Sequence, residues 1–278
     1  IAREVAAVLK KPLKMPATDY TVSDYTEPRL SIRVEAEDLC PRYIAHYVHD
    51  VTIGESPAWM RRRLALVGIN SISNMVDITN YVLKELGQPM HAFDYAYLEG
   101  DQINVRRANE GERIVTLDEK EFMLNSSNLV ICDGVKPVAL AGIMGGLNSE
   151  IKDTTTEVMF ESAKFARDNI RKTSRKLGQN SDSSARYEKG VDAYTTDFAM
   201  RRALHLTEEL GCGKVTKLCA DVNAAKQEDK KLPMASTTKI MTCILALENA
   251  EGNDRIPVSS YAASMPDVQL NMQTGDTF

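Results

Sequence analysis

Asn74 to Tyr95 reads NMVDITNYVLKELGQPMHAFDY, and its spacing decides how the middle of the chain folds. Met75, Ile78, Val82 and Leu86 recur at helical intervals, which predicts an amphipathic helix with one apolar stripe. Gly87 stands where a left-handed residue closes such a helix. Pro89 restricts the backbone that follows. The segment Gln88-Pro89-Met90-His91 is therefore expected as a loop held at a helix end, presenting His91 and Asp94.

Upstream, Ile1, Val5, Val8 and Leu9 suggest a leading helix, and Pro12 and Pro16 open a linker. Ile32 to Glu35 and Arg42 to Val51 read as strands, the second with Tyr43, Ala45 and Tyr47 alternating. Ser56 is expected to cap a helix whose first residue is Pro57 and whose stop is Gly68. Downstream, short strands are predicted at Ile103–Arg107, Arg113–Leu117, Leu129–Cys132, Pro137–Ala141 and Val158–Ser162, separated by Gly, Asn and Asp. Two helices follow, Arg167 to Leu177 before Gly178 and Thr196 to Leu210 before Gly211. The fold class is α+β: a mixed or antiparallel, β-rich module with flanking helices.

The 278 residues, 43% of them hydrophobic, suffice for one medium domain plus an appendage. No apolar run approaches the ~18 residues that span a bilayer, so no membrane association is expected. Cys40, Cys132, Cys212, Cys219 and Cys243 are odd in number and lack C-x-x-C spacing, which favours a reducing cytoplasm and no metal site. The net charge of −5 argues against a general nucleic-acid binder. Locally, Arg167, Arg171, Lys172, Arg175, Lys176, Arg186 and Lys189 outnumber Asp168, Asp182 and Glu188. Arg171/Arg175 and Lys172/Lys176 are four apart and share helix rows, giving either a solvated face or a phosphate-contacting one.

The TNY helix followed by QPMHAFD resembles the editing module of the bacterial phenylalanyl-tRNA synthetase beta subunit. LAGIMGG (140–146), FESA (160–163), IRKTSRKLG (170–178) and SARYEKGVD (184–192) extend the likeness in order, over roughly residues 1–216. The resemblance implies hydrolysis of tyrosine mischarged onto tRNA(Phe), since an apolar synthetic pocket excludes an added hydroxyl only weakly. It assigns Glu161 to the tyrosine phenol, His91 to positioning the ester and water, Asn80 to the same pocket, and Gly145 to leaving room for the substrate ring. Backbone amides near Gly145 are expected to stabilise the oxyanion. Without the resemblance, strand alternation would put Glu161 on a solvated face. Gly142 and Gly146 read as turn glycines with positive φ, and GIMGG lacks the lysine of a phosphate-binding loop.

The family's pattern departs at three positions. Ser181 and Ser183 stand where many members have threonine and alanine at the pocket wall, and Asn70 where an arginine is common. Arg171, Arg175 and Lys176 are the candidates for tRNA contact. No cofactor is implied for editing; ATP and magnesium would belong to the aminoacylation site of the alpha subunit, the expected partner along with tRNA(Phe). Aminoacylation by this chain alone is not expected.

LPMASTTKIMTCILAL (232–247) and VSSYAASMPDVQL (258–270) are similar to the start of a D-alanyl-D-alanine carboxypeptidase, with Ser236 and Lys239 in the S-x-x-K positions of its acyl-enzyme serine. The expected organisation is thus a helix and linker over 1–30, an editing domain over 31–216, a polar seam over 217–231 and a truncated carboxypeptidase-like fragment over 232–278. The alternative functions are a serine-type carboxypeptidase fragment or an inert tRNA-binding fragment.

Overall fold

The computed structural model describes residues 2–25 and 31–224. Ser236, Lys239 and the carboxypeptidase-like segment lie outside the described residues. Two compact units divide the chain; residues 16–229 form one, and helix α1 (Ala2–Val8) belongs to the other.

In the larger unit the order is β1 (Ser31–Val34), β2 (Arg42–His49), α2 (Ala58–Leu66), α3 (Asn74–Leu86), β3 (Met90–Asp94), β4 (Gln102–Arg107), β5 (Arg113–Val115) and β6 (Glu121–Met123). It continues through β7 (Leu129–Cys132), β8 (Pro137–Leu140), β9 (Met144–Gly145), β10 (Val158–Lys164), α4 (Arg167–Leu177), α5 (Asp182–Tyr187), α6 (Thr195–Glu209) and β11 (Lys214–Asn223). Among the described residues the strands form a four-stranded sheet in the order β11-β2-β10-β3, a five-stranded sheet β1-β4-β7-β8-β9, and the hairpin β5-β6. β1 and β4 are parallel; the other pairs are antiparallel. This is the expected α+β class.

Both faces of the four-stranded sheet are buried. Ile44, Val48, Val158 and Phe160 pack on one side against Met75, Ile78 and Val82 of α3 and Ala199, Ala203 and Leu206 of α6. Tyr43, Ala45, Tyr47, Met159 and Ala163 pack on the other against Ile103, Val105, Ile131 and Leu140 of the five-stranded sheet. The larger unit is therefore layered as helices, sheet, sheet. A strand covered on both faces loses the apolar-polar alternation of a half-solvated one, and residues 158–163 of β10 are all buried.

Helix α3 forms as its spacing predicts: Met75, Ile78 and Val82 are buried, and Gly87 takes φ +78° with its N–H on Leu83 O at 2.9 Å. Its first turn is fixed by the buried Asp77, whose carboxylate accepts from Ile72 N (2.9 Å), Ser56 Oγ (2.6 Å) and Ser71 Oγ. Ser56 thus serves Asp77 and does not cap α2; Pro57 occupies the N-cap position there.

Three further expectations are corrected. Met90 to Asp94 is a strand, because pairing with β10 overrides the turn signal of Pro89. Residues 217–223 belong to β11, which pairs with β2 from Lys214 to Asn223; the sheet passes the expected boundary at 216, and a polar edge strand had the composition of a seam. Gly146 has φ −81°, whereas Gly142 has φ +67°.

Candidate active site

His91 and Glu161 come from adjacent strands and are direct cross-strand partners in the β3-β10 register. Opposed residues project to the same face. Both line a cavity of about 440 Å³ bounded by α3, β3, the 139–145 turn, Leu117 at the tip of the β5-β6 hairpin, and α5. That volume falls within the range that holds a small organic ligand. Asn80 of α3, Gly145, Ser181, Ser183 and Tyr187 line the same cavity.

Glu161 is 4% exposed, and Tyr43 Oη donates to its Oε2 at 3.0 Å. Burial pushes its carboxyl up to about 8, and the Tyr43 hydrogen bond opposes that rise without reversing it. At neutral pH the group is mostly protonated, which is how an acid sits among apolar side chains with no cation beside it among the described residues. The expectation of a solvated face from alternation alone is wrong here, because the second sheet covers it.

His91 forms part of the cavity wall and retains some contact with the void, yet protein surrounds the ring, and this burial lowers its pKa to about 4. The imidazole is neutral at physiological pH. Its ring meets Phe93 edge-on at 4.4 Å between centroids. Among the described residues no group hydrogen-bonds either ring nitrogen. A base this weak orients a hydrogen-bonded water better than it takes the water's proton.

Gly145 has a role the sequence did not reveal. A Cβ there would lie 2.5 Å from His91 Cε1 and 2.7 Å from Nε2, so the missing side chain makes room for the His91 imidazole itself. Gly146 N–H is bonded to Val138 O at 2.8 Å and is not free for an oxyanion.

Ser181 and Ser183 hold the wall together. Ser181 Oγ donates to Ile143 O at 2.7 Å and accepts from Ser184 N in a capping box that starts α5; Ser183 Oγ donates to Gly142 O at 3.1 Å. Both hydroxyls bond the turn that carries Gly142 and Ile143. Asn70 is exposed and does not line the cavity, whereas Ile72 and Val76 do. Gln88 anchors the Gln-Pro turn to β10 through Nε2 on Ala163 O at 2.8 Å. Asp94 ends β3, accepting from Thr155 Oγ1 at 2.6 Å and Ala96 N at 3.1 Å.

Arg171, Arg175 and Lys176 do not reach the cavity. They lie on the exposed face of α4, opposite Ile170, Thr173 and Ser174, and among the described residues none is in an ion pair. The helix ends at Gly178, three residues before Ser181. Tyr43 and Tyr187 are the site residues that sequence reasoning missed. Both fell within stretches already noted, the alternating strand and the SARYEKGVD block, but nothing local says which face meets a cavity. No group of three or more His, Cys, Asp or Glu side chains among the described residues is arranged to hold a metal. No described helix is long and apolar enough to cross a membrane.

A cavity-bearing sandwich of this kind is matched by the family model of the B3/4 domain over residues 39–212, and the chain belongs to that family. Relatives that it matches include phenylalanine-tRNA ligase beta subunits. That of Syntrophus aciditrophicus is 51% identical over 218 residues, covering 78% of this chain and 27% of the relative. That of Geobacter metallireducens is 50% identical over 224 residues, covering 80% and 28%. The chain thus spans under a third of the length of these relatives. Among solved structures, an N-terminal fragment of the phenylalanyl-tRNA synthetase beta subunit from Pyrococcus horikoshii aligns with TM-score 0.49 and 12% identity, over 79% of this chain and 60% of that one.

Proposed function

We propose that the cavity hydrolyses a tyrosyl ester presented on the 3′ end of tRNA(Phe). The observation that carries this reading is the Glu161 carboxyl, buried at the cavity with Oε2 bonded to Tyr43 and no cation among the described residues beside it. A buried polar group in an apolar wall is costly unless something bonds it. A phenol hydroxyl would do so, and a phenylalanyl ring would not, so the wall distinguishes the two side chains by one hydrogen bond.

In this mechanism the tyrosyl ring lies along the wall formed by Ile131, Leu140 and Met144 with its hydroxyl on Glu161. Neutral His91 and Asn80 orient the ester and a water molecule. The water oxygen adds to the ester carbonyl, a water proton passes to the ribose oxygen as the acyl–oxygen bond breaks, and free tyrosine and a 3′-hydroxyl result. The polyanion is met by Arg171, Arg175 and Lys176, the exposed cations of α4. No cofactor enters. The alpha subunit is the partner that charges the tRNA, in the cytoplasm.

Deacylation of Tyr-tRNA(Phe) and Phe-tRNA(Phe) by the whole chain and by Glu161→Ala tests the reading. The expected result is a marked preference for the tyrosyl ester that vanishes in the variant. An unchanged preference in folded Glu161→Ala would overturn it.

A further inference from the structure

We propose that Tyr43 is a positioning residue that sets the specificity of this cavity: its hydroxyl holds Glu161 Oε2 and leaves Oε1 to meet the hydroxyl of a bound tyrosyl group. The proposal rests on the hydrolysis reading above and assigns a task to a side chain that touches no substrate.

The geometry follows from the strands. Ala45 is the register partner of Glu161, so Tyr43 lies two residues along β2 on the same face, as a diagonal neighbour. Tyr43 is fully buried between the two sheets, and its ring therefore has one place to be. From there its hydroxyl reaches Oε2 at 3.0 Å.

The other polar groups around Glu161 are committed elsewhere. Tyr187 of α5 donates to Ala163 O at 3.0 Å. Cys40, in the turn before β2, donates to Arg42 O at 3.5 Å. His91 of β3 is neutral and its ring lies against Gly145. Among the described residues none donates to Oε1. Without the Tyr43 hydroxyl, the carboxyl would be free to turn either oxygen toward the cavity, and a carboxylic O–H could face the ligand.

A second consequence concerns charge. A hydrogen bond from Tyr43 favours the ionised form of Glu161 against burial. An ionised acceptor penalises a phenylalanyl ring more than a neutral acid does, since the ring leaves it unpaired. Tyr43 therefore lowers the pH at which the cavity discriminates most sharply.

Calorimetric binding of 3′-tyrosylamino-adenosine and 3′-phenylalanylamino-adenosine tests this on the full chain, Tyr43→Phe, Glu161→Gln and the double variant. The series runs from about pH 6 to about pH 9, on either side of the Glu161 pKa of about 8. The native chain should prefer the tyrosyl amide, increasingly so as Glu161 ionises. Tyr43→Phe should lose about fivefold of that preference, the worth of one hydrogen bond, with its pH midpoint moved upward. Glu161→Gln should show a flat pH profile that Tyr43→Phe does not change. If Tyr43→Phe weakens both amides equally and leaves the midpoint in place, Tyr43 only supports the core and the proposal fails. If the native chain binds both amides alike at every pH, the hydrolysis reading falls first and takes the proposal with it.

Discussion

Phe160 and Glu161 are neighbours on β10, equally out of reach of bulk solvent, and they live in different worlds. Phe160 enters the layer between sheet and helices, where Ile78, Val82 and Ala203 are also buried. Glu161 enters the layer between the two sheets, where Tyr43 and the cavity break the apolar packing. One side of the sheet is devoted to cohesion. The other gives up some apolar packing around a cavity that the Glu161 carboxyl lines. On the proposed reading, stability and specificity fall to adjacent residues of a single strand, which makes them separable by mutation.

The separation should be plainest at Phe160. Phe160→Ala is expected to lower stability by about 3–5 kcal/mol through the cavity it leaves, measured by denaturant unfolding, while the tyrosyl-over-phenylalanyl preference of surviving folded protein stays as it was. A loss of preference out of proportion to folded fraction would break the comparison.

Glu161→Gln should act in the reverse sense. The folded pKa near 8 lies above the ordinary 4.5, so the native chain loses stability as pH rises through that window. The variant carries no such penalty and should gain on the native chain by about 1.4 kcal/mol per pH unit between those values. Thermal unfolding of both proteins at pH 5 and pH 8 measures the difference. His91 contributes with opposite sign, its stabilisation being lost as pH falls from 6.5 toward 4, but it cancels in this comparison because both proteins contain it.

Gly145→Ala sharpens the contrast on the cavity side. The new Cβ would overlap His91, so the imidazole must move. Displacement by about 1 Å costs roughly 100-fold in a positioned reaction, and ester hydrolysis should fall by that order while circular dichroism is unchanged. Retained hydrolysis would mean that the imidazole does not orient the reacting groups.

The smallest effect is expected at the wall. Ser181→Ala removes the α5 cap and should reduce stability by about 1 kcal/mol. Ligand preference should hardly move, because the Ser181 hydroxyl faces the backbone of Ile143 and Ser184.

Much of this could be read from the residues. The stripe Met75-Ile78-Val82 and the stop at Gly87 define α3 by local rules, and Gly178 ends α4 in the same way. The placement of Glu161 was local only in part. Its strand is evident, but its burial depends on a second sheet whose strands lie far away in sequence, and single-strand periodicity carries no trace of that. His91 illustrates the same limit: Pro89 signals a turn, and only pairing with β10 makes the next five residues a strand. Helix α5 has six residues and no apolar period of its own; it exists because Ser181 and Ser184 cap each other. The fit of Gly145 to His91 is a contact between residues 54 apart, invisible until both strands are in place.

The strand order β11-β2-β10-β3 also has a consequence for how the chain is made. β2 leaves the ribosome before either of its partners, which end at Lys164 and Asn223. At about 5–20 residues per second, synthesis of the intervening chain leaves β2 without its second partner for roughly 9 to 35 seconds. Through that interval Tyr43 and Tyr47 wait beside open hydrogen-bonding edges, and the carboxyl that Tyr43 will hold has not arrived for most of it. The cavity wall around Glu161 is completed by pairings between distant parts of the chain rather than by the helix that marks it in the sequence.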